Sequence, residues 1–103
     1  MNMINIHVYI LKCSDDSYYT GSSKNLEKRI IEHNLGLGGK YTKYRRPVKL
    51  VYSCGFEKYM DAFEAERSIK GWSRKKKEAL INGDFDELVR LSNYKKPPST
   101  GSG

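Results

Sequence analysis

Hydrophobic and polar positions near the start of the chain alternate with the period of a β-strand. The alternation runs from Ile4 to Cys13 and predicts one strand there. The turn-forming sequence SDDS follows, and the aromatic and β-branched residues from Tyr18 to Gly21 predict a returning strand. The first two elements are therefore expected to form a β-hairpin.

After the hairpin, the spacing of apolar residues changes to that of a helix. A helix is predicted from about Leu26 to Asn34, with Asn25 as its N-cap and the glycine-rich LGLGG at its end. Lys40 to Pro47 is expected to be a basic loop with room for one helical turn, and Val48 to Phe56 to be a third strand. The second strand and the first helix are thus close in sequence, so their polar side chains are expected to meet at one junction.

The later part of the chain is predicted to be helical. Met60 to Lys70 carries an apolar stripe of alanine and isoleucine residues. Ser73 is expected to cap the next helix, and Asp84 with Glu87 resembles a capping box for a short last helix. The final KKPPSTGSG has the composition of a disordered segment.

The length of the hairpin loop decides whether two tyrosines can act together. A two-residue loop would place Tyr9 and Tyr19 on opposite faces of the sheet. A three-residue loop pairs Tyr9 with Gly21 and puts both tyrosines on one face. It also requires Asp16 to adopt a left-handed conformation, which aspartate tolerates better than most residues. The register made by the three-residue loop would leave open space beside the Tyr9 phenol, over Gly21.

Three further polar residues occupy positions that could serve chemistry or could simply be solvated. Arg29 and His33 are four residues apart and share a face of the predicted helix. Glu66 borders the buried stripe of its helix, whereas Glu64 lies about 200° round the helix and faces water. A carboxylate in this position is ordinarily a surface ion pair, here with Lys70. It can also hold a Mg²⁺ ion that keeps most of its waters and takes a phosphate oxygen as a ligand.

The composition narrows the class of protein. A chain of 103 residues is expected to form one domain, here over residues 1–92, followed by a disordered tail over residues 93–103. No apolar run approaches the ~20 residues that span a membrane, and the N-terminus lacks the features of a signal peptide. The two cysteines are too few for a disulfide framework and are expected to be thiols of a cytoplasmic protein. The net charge of +7 favours a polyanionic partner, although many solvated surfaces are also basic.

Several short motifs occur together in a characteristic order and spacing. They are His7-Val8-Tyr9, Tyr19-Thr20-Gly21, LEKRIIEH with Arg29 and His33, and EAERSIK with Glu66. Together they resemble the GIY-YIG nuclease superfamily, above all the small single-domain members grouped with the catalytic module of the nucleotide-excision endonuclease. The segment GGKYTKYRRPVKLVY adds to this resemblance, which extends from about His7 to Ile81. In two places the chain departs from the pattern: His7 replaces the first glycine, and the late asparagine has only Asn82 as a candidate, which could equally end a helix.

The resemblance implies an α+β fold, with a three-stranded antiparallel sheet flanked by helices. It also implies a metal-dependent endonuclease that hydrolyses phosphodiester bonds, with one Mg²⁺ or Mn²⁺ ion on Glu66 as a Lewis acid for the leaving oxygen. The implied catalytic residues are Tyr9 as proton acceptor, Tyr19 as hydrogen-bond partner of the phosphate or water, Arg29 as stabiliser of the phosphate charge, and His33, which orients the water or shuttles a proton.

Basic residues around the implied site are expected to grip the backbone of nucleic acid, DNA in preference to RNA, without choosing a sequence. These residues are Lys40, Lys43, Arg45, Arg46, Lys49 and Lys70, and Arg74 to Lys77 would either join them or form a solvated helix face. Two other functions stay open at this point. One is a nucleic-acid-binding module that does not cleave, and the other is a partner-dependent adaptor that reuses the fold.

Overall fold

The computed structural model describes residues 3–93, which fall into two compact units divided between Trp72 and Ser73. In chain order, the elements of the first unit are β1 (Ile6–Lys12), β2 (Tyr18–Ser23), α1 (Leu26–Asn34), α2 (Lys40–Lys43), β3 (Lys49–Phe56) and α3 (Tyr59–Lys70). The second unit contains α4 (Arg74–Ile81) and α5 (Phe85–Asn93). The predicted disordered tail lies outside the described residues except for Asn93, which ends α5.

The strands form one antiparallel sheet in the order β2-β1-β3. This confirms the predicted three-stranded sheet with helices around it. β1 is the central strand, and its residues from Val8 to Leu11 are almost completely buried. The functional side chains of β1 are therefore held between two neighbouring strands.

The hairpin has the register that places both tyrosines on one face. Tyr9 pairs with Gly21, and Leu11 pairs with Tyr19. The Cys13 amide donates to the Ser17 carbonyl at 2.9 Å, which closes a three-residue loop. Asp16 in that loop has a φ of 67°, the left-handed conformation that the three-residue loop requires.

The helices of the first unit begin close to the predicted positions. The Asn25 side chain accepts a hydrogen bond from the Lys28 amide at 3.2 Å, which confirms Asn25 as the N-cap of α1. The predicted helical turn in the basic loop is α2. α3 begins at Tyr59, one residue before the predicted start. The residue that precedes it, Lys58, is extended and makes no side-chain cap, so the sequence contains no capping signal that would mark this helix start.

The core of the first unit lies on both sides of β1. On the side of the paired tyrosines, a buried cluster contains Tyr9, Leu11, Cys13 and Val48. α3 packs against β1 and β2 and buries its predicted apolar residues Ala62 and Ile69. These contacts fix β1, and with it the position of Tyr9.

The second unit consists of two short helices whose caps agree with the sequence. The Ser73 side chain accepts from the Lys76 amide at 3.2 Å, and the Asp84 carboxylate accepts from the Glu87 amide at 3.2 Å. Asn82 is the C-cap of α4, and Gly83 follows with a φ of 68°. The structure thus gives Asn82 the place of a helix end. None of the helices within residues 3–93 is long and apolar enough to cross a membrane.

Candidate active site

The Tyr9 phenol occupies the space above Gly21 on the neighbouring strand. A methyl group at Gly21 would lie 2.6 Å from the Tyr9 hydroxyl oxygen and 3.2 Å from the Tyr19 ring. Only glycine leaves room for the phenol at this position. The open space that was predicted over Gly21 is therefore filled by the Tyr9 side chain itself. Tyr9 is 1% exposed, which makes it one of the most buried side chains of the first unit.

A buried chain of hydrogen bonds leads from Tyr9 to α2. The Tyr9 hydroxyl oxygen lies 2.9 Å from His33 Nε2, and His33 Nδ1 lies 2.7 Å from Thr42 Oγ1. His33 and Thr42 are both fully buried. Gly38 makes room for the imidazole, because a methyl group there would overlap the ring. Sequence reasoning found Tyr9 and His33 but missed Thr42, whose place in the KYTK turn gives no signal that it contacts a histidine.

Tyr19 covers the Tyr9–His33–Thr42 hydrogen bonds from the side of β2. Its ring lies edge-on to His33 at 5.2 Å and tilted to Tyr9 at 6.5 Å, measured between ring centroids. The Tyr41 ring stacks on Tyr19 at 5.8 Å, and the Arg45 guanidinium lies 3.9 Å from the centre of the Tyr41 ring. Tyr19 is half-buried and so can still meet a substrate.

Arg29 extends from α1 to the same place. Its guanidinium donates to the Glu32 carboxylate and to the Gly38 carbonyl, each at 3.2 Å. It also lies beside the Tyr9 phenol, where it acts to lower the pKa of that hydroxyl. The side chain is 33% exposed, so part of the cation faces water. A guanidinium held by two partners in this way is preorganised for an incoming anion.

Burial sets the protonation states of the inner pair. Burial raises the pKa of the Tyr9 phenol, and the nearby Arg29 opposes this only in part. Burial also lowers the pKa of His33, and the positive charge of Arg29 lowers it further. At neutral pH the phenol is therefore protonated and the imidazole is neutral.

Glu66 lies at the junction of α3 and β2. Its carboxylate accepts from the Ser22 hydroxyl at 2.6 Å and from the Lys70 ammonium at 2.8 Å, and its side chain is 18% exposed. Burial would raise the pKa of Glu66, but the bonds from Lys70 and Ser22 outweigh burial and lower it. Its negative charge is close enough to Tyr9 to raise the pKa of the phenol. Sequence reasoning predicted the Lys70 pair but missed Ser22.

The residues around Glu66 fit a hydrated Mg²⁺ ion better than an all-protein metal cage. Within residues 3–93, no three His, Cys, Asp or Glu side chains are grouped so that they could hold a metal. The Glu66 carboxylate is ionised and keeps lone pairs beyond the two that its donors use. One such carboxylate is sufficient for an ion that keeps several waters and binds a substrate phosphate.

The predicted basic rim differs in how tightly its residues are held. Arg45 pairs with Asp15 at 3.0 Å, and Arg46 donates to the Lys43 carbonyl at 2.9 Å, so both guanidinium groups help to fix the loop. Lys40, Lys43 and Lys49 are exposed. Lys70 belongs to α3 and pairs with the Glu66 carboxylate, as the sequence predicted. The segment from Arg74 to Lys77 belongs to α4 of the second unit, where Arg74 pairs with Glu78 at 3.2 Å.

The structure thus brings Tyr9, Tyr19, Arg29 and His33 together, and Glu66 is close enough to Tyr9 for its charge to affect the phenol. Their catalytic roles stay predictions.

Comparisons with known proteins agree on one family. Residues 5–79 match the model of the GIY-YIG catalytic domain. The UPF0213 protein of Staphylococcus saprophyticus is 54% identical over 76 residues, which cover 74% of this chain and 93% of that protein. The UPF0213 protein of Clostridium perfringens is 49% identical over 90 residues, which cover 87% of this chain and 94% of that protein. The solution structure of the UPF0213 protein of Bacillus halodurans matches this chain with a TM-score of 0.51 and 38% sequence identity, and the match covers 86% of this chain and 98% of that protein.

Proposed function

Because the chain belongs to the GIY-YIG catalytic-domain family, we propose that it is a metal-dependent endonuclease that hydrolyses phosphodiester bonds, in DNA in preference to RNA. One observation carries the proposal: the four side chains expected to act on the phosphate converge at one place, next to an ionised carboxylate.

Each residue of the cluster has a role that its surroundings support. Arg29 stabilises the negative charge that grows on the phosphate, since its planar guanidinium can contact two oxygens. Tyr19, which is half-buried, hydrogen-bonds the phosphate or the attacking water. Tyr9 accepts a proton from that water, and His33 orients the water or shuttles the proton. Because Tyr9 is 1% exposed, the substrate must displace Tyr19 or Arg29 slightly before water reaches the phenol.

Glu66 would hold one Mg²⁺ or Mn²⁺ ion. When bound, the ion supplies a Lewis acid for the leaving oxygen. Ser22 and Lys70 hold the carboxylate ionised and in a fixed orientation, which is the usual task of residues that surround a metal ligand. Lys70 would also meet the negative charge of a phosphate that reaches Glu66.

The basic rim would bind the phosphate backbone. The exposed Lys40, Lys43 and Lys49 supply charge without a fixed direction, whereas Arg45 and Arg46 keep the loop in shape while part of each cation stays accessible. Contacts of this kind give affinity that depends on salt and does not depend on sequence. The proposed enzyme therefore tolerates many sequences.

A second candidate function is nucleic-acid binding without cleavage, alone or until a partner binds. Two observations favour it: Tyr9 is buried, and the charged groups of Arg29 and Glu66 are already paired within the protein, with Glu32 and Lys70 respectively. A protein of this kind would bind DNA through its rim, but its inner residues would not reach the phosphate.

Cleavage of labelled DNAs by the purified protein tests the proposal. The panel contains single-stranded, duplex, nicked, flapped and branched DNA and one RNA, each with Mg²⁺, with Mn²⁺ and with a chelator. Glu66→Gln should lower cleavage by about 10²-fold or more and leave DNA binding intact, because it removes the ionised ligand. Glu64→Gln is the matched control on the exposed face of α3.

The pattern of results separates the candidate functions. Cleavage that requires the metal and Glu66 supports the endonuclease. Binding without cleavage of any nucleic acid under all metal conditions would favour the non-cleaving module. Equal activity of the Glu66 and Glu64 variants would overturn the metal assignment.

A further inference from the structure

We infer that Thr42 is a positioning residue that holds His33 as the proton acceptor for Tyr9; this inference rests on the proposed function. Its basis is the buried chain from Tyr9 through both nitrogens of His33 to the Thr42 hydroxyl. All three side chains are at most 1% exposed, so their hydrogen bonds have no competition from bulk water. The chain therefore has a fixed direction that the surroundings determine.

A neutral imidazole donates through one nitrogen and accepts through the other, so the chain can run in only two directions. In the first, Tyr9 donates to Nε2 and Nδ1–H donates to Thr42. In the second, Thr42 donates to Nδ1 and Nε2–H donates to the Tyr9 oxygen.

The position of Arg29 favours the first direction. A guanidinium can only donate, and that of Arg29 lies beside the Tyr9 phenol. In the second direction that oxygen would face two donors, and the proton of the buried phenol would have no acceptor among these groups. In the first direction the Tyr9 proton goes to His33. The Thr42 proton can go to a carbonyl of its own helical turn, as threonine hydroxyls in helices do.

This direction explains how a protonated tyrosine can serve as a base near neutral pH. As the attacking water gives a proton to the Tyr9 oxygen, the phenol passes its own proton to His33 Nε2. The water oxygen forms the new bond to phosphorus, the bond from phosphorus to the leaving oxygen breaks, and that oxygen takes a proton from solvent. His33 then returns its extra proton to the Tyr9 oxygen, and Tyr9 passes its own proton to the water that enters as the product leaves. Thr42 accepts from Nδ1–H throughout.

Titratable groups approach His33 from three elements. Tyr9 faces the ring from β1, Tyr19 from β2, and Arg29 and Glu32 from its own helix, while Thr42 of α2 carries no charge. His33 is neutral before the reaction, and the negative charge of Glu32 stabilises the imidazolium that forms, whereas Arg29 opposes it. The acidic limb of the pH profile of kcat should therefore report His33.

Thr42→Val and Thr42→Ser test the inference, with the intact protein in both cases. Valine keeps the shape of threonine but removes the oxygen, whereas serine keeps the oxygen and loses one methyl group. Nitrogen-15 NMR of the imidazole should find Nδ1 protonated in the wild type and in Thr42→Ser. In Thr42→Val the proton should move to Nε2, because Nδ1–H would have lost its acceptor.

Kinetics provides the second readout. We expect Thr42→Val to lower kcat by about 10²-fold with little change in KM, since it disables a proton acceptor and leaves substrate contacts in place. Thr42→Ser should recover most of the loss, and the acidic limb of its profile should match the wild type.

The two readouts distinguish failure of this inference from failure of the proposed function. Protonated Nε2 in the wild type, or an unchanged tautomer in Thr42→Val, would overturn the positioning role whether or not the protein cleaves DNA. A changed tautomer with unchanged kcat would overturn the proton-acceptor role of His33. If the wild type cleaves nothing, the proposed function fails, and the proton-acceptor role fails with it, while NMR still decides whether Thr42 sets the tautomer.

Discussion

A single methyl group added at Gly21 should disturb both the stability of the fold and the reaction. In Gly21→Ala the new methyl would lie 2.6 Å from the Tyr9 hydroxyl oxygen and 2.8 Å from the ring carbon that bears it. To reach an ordinary van der Waals separation, the phenol would have to retreat by roughly 0.8 Å. The retreat would stretch the 2.9 Å contact between Tyr9 and His33 beyond a normal hydrogen bond.

The size of the effect follows from these contacts. Overpacking of a buried side chain costs about 1–3 kcal/mol, and the loss of glycine freedom in the unfolded chain returns roughly 0.5 kcal/mol. A net loss of about 1–2 kcal/mol should lower the melting temperature by roughly 5–15 °C. Displacement of a reacting group by almost 1 Å should lower turnover by about 10²-fold.

Thermal unfolding followed by circular dichroism measures the first effect, and cleavage of the best DNA of the panel measures the second. Gly71→Ala is the matched control, because its methyl would meet only the Ser68 and Arg67 carbonyls, at 3.6 Å and 3.9 Å, and Gly71 has a φ of −87° that alanine adopts readily. A Gly21→Ala protein as stable as the wild type would show that Tyr9 does not fill this space.

Three further predictions concern the cation at the phosphate, the rim and the buried histidine. Arg29→Lys should lower turnover by about 10²–10³-fold, nearly as much as Arg29→Ala, because an ammonium cannot reproduce the two-pronged contact; substantial recovery by lysine would contradict this. Lys40→Ala with Lys43→Ala should reduce the slope of log affinity against log salt by nearly two without changing the melting temperature, and an unchanged slope would remove these lysines from the DNA surface. The free energy of unfolding should fall as the pH drops below 6.5, because the pKa of His33 is lower in the folded state and the unfolded chain therefore binds more protons. Denaturant titrations at several pH values measure this dependence. His33→Gln should weaken it, and the same pH dependence in both proteins would refute the assignment to His33.

The parts of the site that sequence reasoning predicted depend on local periodicity. Strand parity reduced the hairpin to two registers, and the structure has the one that requires a left-handed Asp16. Arg29 and His33 share a helix face because they are four residues apart. Glu66 was recognised as half-buried because it borders the apolar stripe of α3.

The parts that were missed depend on contacts between segments distant in sequence. Thr42 contacts His33 only because the short helix α2 folds back over α1, and a four-residue helix has no periodicity that would predict its direction. Ser22 lies 44 residues from Glu66, and its bond depends on how α3 packs on the sheet. The pairing of Arg45 with Asp15 was also missed, because it depends on the hairpin loop lying beside the basic loop.

Burial divides the candidate site into an inner and an outer part with different chemistry. Tyr9 and His33 are at most 1% exposed, so they can exchange a proton but cannot bind a phosphate from solvent. The side chains of Arg29 and Glu66 are 33% and 18% exposed, and each already has partners that hold it in place. Substitutions in the inner part should therefore change turnover and the pH profile while substrate affinity stays the same. Substitutions in the outer part should change how the metal is held and how the growing charge of the phosphate is stabilised, and turnover as a consequence, while binding of the DNA backbone to the rim stays the same.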